Sequence, residues 1–124
     1  MYLPDTNIFI LAFSDFEPTN SFLQKIIKQG KIYISVVVMA EFLAKASEEE
    51  ARFFEQLVSQ FGVLEVDEEV ARISAEYRKQ LSQKSKRNIL IDCFLAAQAK
   101  IHGLTLVTNN KADFPMKDIK IISP

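Results

Sequence analysis

Four acids stand where packing alone does not account for them. Asp5 directly follows the brief apolar run Tyr2-Leu3-Pro4, and Glu41 is set among Val36, Val37, Val38, Met39, Ala40, Phe42 and Leu43. Asp92 lies inside Ile89-Leu90-Ile91-Asp92-Cys93-Phe94-Leu95-Ala96-Ala97, and Asp113 in Thr108-Asn109-Asn110-Lys111-Ala112-Asp113-Phe114. A carboxylate carried into apolar surroundings costs several kcal/mol, in round terms, unless a partner or a metal meets it. Carboxylates crowded into one crevice raise each other's pKa unless a cation intervenes. Oxygen ligands with no His or Cys nearby suit Mg²⁺ or Mn²⁺ rather than zinc. A pair of such ions can activate water and stabilise the leaving oxygen of a phosphodiester. The chemistry indicated is metal-dependent phosphoryl hydrolysis.

Each acid taken singly also has a structural role open to it. Asp5 before Thr6-Asn7-Ile8 is a good helix N-cap. Asp113 suits a turn before Phe114-Pro115. Glu41 has Lys45 one helical turn on as an ion-pair partner. Asp92 is the hardest to explain this way, because its neighbours in sequence are apolar and its partner must come from farther off.

The elements that must position these acids alternate short β-like runs with longer helical ones. Residues 19–29 place Phe22, Leu23, Ile26 and Ile27 at helical spacing, with Gly30 as the C′ residue. Lys31 to Ser35 reads as a strand, and Ser35 as the cap of a helix through Val38 and Glu41 to Ala46. A helix over Glu48 to Gln60 is followed by a strand over Gly62 to Val66, then by a helix capped by Asp67 and reaching about Gln83. Ile89 to His102 reads as a buried helix closed by Gly103, Leu104 to Thr108 as a strand, and Ile119 to Ser123 as a last short one. Strands separated by helices pair in parallel through right-handed crossovers, which predicts an α/β sandwich. Ligands in that architecture bind beyond the carboxyl ends of the strands. Asp5, Glu41 and Asp113 fall within reach of those ends.

The chain has 124 residues, enough for one domain (1–124) with a real core. Hydrophobic residues make up 48% and charged residues 25% of it. That is ordinary globular material, which excludes a disordered chain. A single cysteine, Cys93, excludes a disulfide scaffold and fits a reducing compartment. No run approaches the length of a membrane span, and the N-terminus lacks the basic start of a signal peptide, so a cytoplasmic location is expected. The net charge of −1 conceals an asymmetry: nine acids and two bases from Glu41 to Glu69, but five bases and no acid from Arg78 to Arg87. That second run is most simply a solvated helix end. Its functional reading is phosphate contact by Lys86 and Arg87, without base readout.

Together these residues resemble a PIN domain, most closely the single-domain VapC-type ribonuclease toxins of prokaryotic toxin–antitoxin pairs. Asp5-Thr6-Asn7 matches the opening D-T-N of that family, and Glu41 matches its acid after the second strand. Asp92 with Ala96, Ala97 and Ala99 matches the Asp followed by an alanine-rich helix. Thr108 to Phe114 matches T-x-N-x-x-D-F, supplying Asp113 with the polar Thr108 and Asn110. The resemblance covers nearly the whole chain. It implies a three-layer sandwich around a parallel sheet of about four or five strands, with strand 1 central. It also implies endoribonuclease activity at Asp5, Glu41, Asp92 and Asp113, which would hold one or two Mg²⁺ or Mn²⁺ ions, with Thr6, Asn7, Thr108 and Asn110 in support. A homodimer and inhibition by a small VapB-like antitoxin are implied as well. Pro4 lacks the N–H of a paired strand, which suits a place where one ladder bond is already absent.

Other readings fare less well. His102, beside Gly103, suits the capping of helix carbonyls, and Cys93 a small buried hydrophobe. Phe9, Phe13 and Phe16 fit the core less readily and are read as exposed anchors for a dimer or an antitoxin. A phosphorelay receiver needs an Asp near mid-chain, yet none lies between Asp15 and Asp67. A haloacid-dehalogenase-type phosphatase needs a second Asp where Asn7 stands, and flap-type DNA nucleases need further acids and insertions. The alternative of another class is a non-catalytic PIN-like module binding RNA or protein. Its mark would be a missing acid.

Overall fold

The computed structural model describes residues 1–81 and 89–124. The chain runs β1 (Tyr2–Pro4), α1 (Thr6–Phe13), α2 (Thr19–Lys28), α3 (Val36–Lys45), α4 (Glu48–Phe61), α5 (Glu68–Gln80), α6 (Ile89–His102), β2 (Thr105–Val107), a 3-10 turn (Lys111–Asp113) and β3 (Lys120–Ile122).

Local chemistry sets where the helices begin. The Asp5 carboxylate accepts from the Ile8 amide (3.2 Å), the Ser35 hydroxyl from Val37 (3.1 Å), and the Asp67 carboxylate from Val70 (2.9 Å). Each satisfies one of the amides that a helix start leaves without a partner. At α4 a capping box closes both ways: the Glu50 amide donates to Ser47 Oγ, and the Ser47 amide to Glu50 Oε1. The expected Gly30 and Gly103 stand past the ends of α2 and α6, both at positive φ. Side chains with a Cβ rarely adopt that conformation. The helix expected to reach Gln83 ends at Gln80.

β1, β2 and β3 form a parallel sheet in that order, with Leu3 opposite Leu106 and Leu106 opposite Ile121. The segments 31–35 and 62–66, expected as strands, join it only by single parallel bridges, Tyr2 to Ile32 and Ser35 to Leu64. Among the described residues three strands with ladders therefore replace the expected four or five, although the five segments in sequence of pairing still place β1 in the middle. Pro4 supplies the reason on one side. Tyr2 exchanges hydrogen bonds with segment 31–35, its amide to the Lys31 carbonyl and its carbonyl from the Tyr33 amide, both at 2.8 Å. Two residues on, Pro4 faces the same way and has no N–H to continue the ladder. On the β2 side the pairing continues past it, through the Asp5 amide to the Val107 carbonyl (3.0 Å).

Leu3, Ile8, Ile34, Val38, Leu95, Leu106 and Val107 form the buried centre. Phe9 belongs to it, fully buried and edge-on to Phe54 with centroids 5.1 Å apart. Phe54 in turn stacks on Phe42 at 4.8 Å, in the offset geometry that aromatic rings favour. Phe13 is half-buried against Phe53. Of the three aromatics expected at the surface, only Phe16 is largely exposed. The reason is the period of α1: Phe9 turns inward with Ile8 and Ala12, whereas Phe16 lies beyond the helix end. Ala96, Ala97 and Ala99 are buried, so α6 can pack closely on α5 and β2. That helix is not buried all round, because Leu90 in its first turn is largely exposed. No helix among the described residues is long and apolar enough to cross a membrane.

Candidate active site

Asp5 and Thr108 are the first residues after β1 and β2, two neighbouring parallel strands. Beyond their carboxyl ends a cavity of about 620 Å³ opens. A parallel sheet is expected to present its ligand site there. Asp5, Glu41, Asp92 and Asp113 all line it, although they come from four different elements. Thr6, Asn7 and Asn110 line it too, with Ile10, Ala44, Leu95 and Phe114 as its apolar part and Lys45 as a cation.

Most of these side chains are held by specific partners. The Thr6 hydroxyl donates to Glu41 Oε1 at 2.6 Å, joining the first turn of α1 to the middle of α3. Glu41 therefore takes a partner 35 residues away, not the Lys45 that helical spacing offered. Asn110 Nδ2 donates to Asp113 Oδ2 at 2.6 Å, and the Asn110 amide donates to the Thr108 hydroxyl at 3.0 Å. Thr108 is fully buried and does not line the cavity. It stands behind Asp5, hydrogen-bonded to that carboxyl. Its carbonyl is fixed from beyond β3 by the Ser123 hydroxyl at 2.7 Å. Asp92 sits in the first turn of α6, half-buried, where the helix dipole favours a negative charge.

Asp5 is both the cap of α1 and an acid of the cavity. Burial pushes its carboxyl above the ordinary value of 3.8, and the charge of Glu41 adds to that. Hydrogen bonds from Thr108, Ile8 and Asn7 act the other way, and burial outweighs them. Repulsion of this kind between facing carboxylates is what a bound cation relieves.

The donors facing the cavity are oxygens of carboxylates, amides and hydroxyls, a set suited to hard divalent ions. Among the described residues no three acids, His or Cys stand together as a ready metal cage. The fit is thus one of donor chemistry, and holding an ion requires the carboxylates to draw inward. Cys93, one residue past Asp92, is fully buried and its thiol is pushed up by burial, as expected for a packing residue. His102 is exposed at the other end of α6. Lys86 and Arg87 lie outside the described residues.

Two contributors go beyond the site residues that the sequence singles out. The sequence offers Lys45 only as a partner for Glu41. Gln98 is fully buried on α6, and its Nε2 donates to the carbonyls of Leu64 and Glu65, both at 3.1 Å. The same Leu64 carbonyl accepts from Val36, the first residue of α3. Gln98 thus ties the helix that carries Asp92 to the start of the helix that carries Glu41. A lone Gln in an alanine-rich helix is its only signal.

Comparison with known proteins agrees with this architecture. The family model of the PIN domain matches residues 2–120. The chain is 29% identical over 118 residues to a tRNA(fMet)-specific endonuclease VapC of Shigella flexneri, covering 91% of this chain and 89% of the relative. It is 29% identical over 116 residues to ribonuclease VapC10 of Mycobacterium tuberculosis, covering 94% and 87%. Among solved structures, that of VapBC2 from Rickettsia felis bound to a DNA fragment from its promoter contains a chain of like fold. The TM-score is 0.78 at 23% identity, over 99% of this chain and 98% of the other.

Proposed function

This chain belongs to the PIN-domain family, and we propose that it is a divalent-metal-dependent endoribonuclease, the toxin of a VapBC-type toxin–antitoxin pair. The observation that carries the reading is the meeting of Asp5, Glu41, Asp92 and Asp113 in one cavity at the carboxyl ends of β1 and β2. The two relatives named as VapC nucleases support the activity, and the VapBC2 structure supports a small antitoxin as partner. In this reading residues 1–124 act as one PIN-like domain in the cytoplasm, as a homodimer, with Lys86 and Arg87 contacting RNA phosphates.

The four acids would hold one or two Mg²⁺ or Mn²⁺ ions. Such ions, when bound, favour attack of water on a phosphodiester and offset the charge that develops on its oxygens. The chain's own residues do the positioning. Thr108 and the start of α1 fix the Asp5 carboxyl from behind, Thr6 holds one oxygen of Glu41, and Asn110 holds one oxygen of Asp113. A single hydroxyl takes up only part of the accepting capacity of a carboxylate, so Thr6 orients Glu41 and leaves it able to take a ligand. The enclosing Ile10, Leu95 and Phe114 lower the local polarity, which strengthens every charge interaction within.

The test is cleavage of total cellular RNA by the purified protein in Mn²⁺ or EDTA, beside Asp92→Asn. Cleavage that needs the metal and disappears in the variant establishes the nuclease, and the fragment ends identify the substrate. A folded wild type as inert as the variant in Mn²⁺ overturns the reading in favour of a binding module.

A further inference from the structure

Lys45 is the one cation among the described residues that line the cavity, which it shares with four acids. Its position, four residues after Glu41, invites an ion pair within the helix. None forms: Lys45 enters no ion pair or hydrogen bond among the described residues, while Glu41 is engaged by Thr6. Lys45 therefore stands exposed and uncommitted in the lining of a cavity whose other charges among the described residues are negative.

We propose that Lys45 is the phosphate-contacting residue of this cavity, its ammonium taking a non-bridging oxygen of an RNA phosphodiester next to the one that is cut. The inference rests on the nuclease reading and adds a substrate contact to it. Its grounds are electrostatic and geometric. A polyanion entering a cavity lined by acids is repelled except where a cation stands. The rise of α3 sets Lys45 about 6 Å along the axis from Glu41, so a strand held at the acids passes within reach of its stem. Ala44 beside it is small and leaves that approach open, and buried Val38 and Phe42 anchor the helix that carries it. Lysine binds phosphate as a compact point charge and reads no base, so the contact places the strand without choosing its sequence.

A purely structural role is also available, because Lys45 lies in the last turn of α3, where a cation offsets the helix dipole. Salt dependence separates the two. Labelled unfractionated transfer RNA is titrated onto Asp92→Asn and onto the same protein carrying Lys45→Gln or Lys45→Arg, in Mn²⁺, over a series of salt concentrations. Lys45→Gln is expected to weaken binding on the order of fivefold, and to reduce the slope of log affinity against log salt by roughly 0.7 to 0.9. Lys45→Arg is expected to retain both. The rise in melting temperature that Mn²⁺ gives the wild type is expected to persist in the single variant Lys45→Gln. Unchanged affinity and slope in Lys45→Gln, or a larger Mn²⁺ effect with an unchanged slope, overturns the inference, as does RNA that does not bind at all. Cutting of total RNA by the wild type is scored separately. If it is absent while binding still depends on Lys45, the nuclease reading fails and the phosphate contact stands.

Discussion

Asp5 carries two roles that substitution can separate. Its carboxylate caps α1 by accepting from Ile8, and it faces Glu41 across the cavity. Asp5→Asn and Asp5→Ala both remove the charge, but only the first keeps an oxygen able to cap the helix. The stability difference between the two therefore measures the cap, at about 1 kcal/mol. In a domain of this size that is about 4 °C in melting temperature, with the Asn variant higher. The charge is read by comparing Asp5→Asn with wild type in EDTA. Because burial and Glu41 raise the folded-state pKa of Asp5, its ionised form costs stability. That cost is fully present above the folded value and disappears as pH falls below the unfolded value near 3.8. Asp5→Asn is therefore expected to be at least as stable as wild type at neutral pH, with the gap closing as pH falls toward that unfolded value.

Divalent metal is expected to reverse the order, if the acids hold it as proposed. A wild-type site holding Mn²⁺ at a hundredfold over its dissociation constant gains about 2.7 kcal/mol, or about 10 °C, and Asp5→Asn gains less. Thermal melts followed by circular dichroism, in EDTA and in Mn²⁺, give all four comparisons. Equal stability of the Asn and Ala variants refutes the cap. A metal-free Asp5→Asn less stable than wild type at neutral pH refutes the account of the buried charge. Full RNA cleavage by Asp5→Asn refutes its place in the site.

Two further outcomes follow from groups away from the acids. Gln98→Met removes two part-buried hydrogen bonds of a buried side chain and is expected to cost about 2 kcal/mol, seen as a melting point lower by about 8 °C. Gln98→Glu is expected to cost more, since it loses the same donors and buries a charge, so a milder effect of Glu than of Met counts against the two bonds. The Asp118 carboxyl is held below its ordinary value, first by Lys100 and also by the Tyr77 hydroxyl. Its contribution is present above the unfolded value of 3.8 and lost as pH falls through the lowered folded value. Because the pair is half exposed, it should amount to less than about 1 kcal/mol. Lys100→Met is expected to return the carboxyl toward 3.8 in an NMR titration, and an unmoved titration would exclude the pairing.

Much of this was legible in the sequence because it is local. Asp5, Ser35 and Asp67 cap helices through amides two or three residues on, and such spacing can be read without a fold. What the sequence hid are choices between near and far partners. Lys45 is the near partner of Glu41 in sequence, but it is Thr6 that meets Glu41 once α1 packs alongside α3. Phe9, Phe13 and Phe16 look alike in sequence and diverge in burial, because only the three-dimensional path of α1 distinguishes inside from outside. Segments 31–35 and 62–66 have the apolar residues of strands. Whether they form ladders depends on the neighbouring backbone, and at β1 that neighbour is Pro4.

The same distinction explains how the four acids can coexist. Each is tethered by a different device: a helix cap and a hydroxyl from behind for Asp5, a hydroxyl across helices for Glu41, the first turn of a helix for Asp92, and a neighbouring amide for Asp113. These tethers supply hydrogen bonds and a helix dipole, and among the described residues lining the cavity Lys45 is the only full positive charge. At Asp5 and Glu41, therefore, the tethers orient the carboxylates without neutralising them. The tethers of Asp5 to Thr108 and of Glu41 to Thr6 reach across the fold, and they hold the two carboxylates in place while leaving their repulsion unrelieved. Had Asp5 and Glu41 each been met by a lysine or an arginine instead, the fold would be easier to stabilise and that wall of the crevice would have no use for a metal. The absence of a Glu41–Lys45 pair among the described residues fits the proposed chemistry of the site, in which Glu41 would serve a metal ion and Lys45 a phosphate.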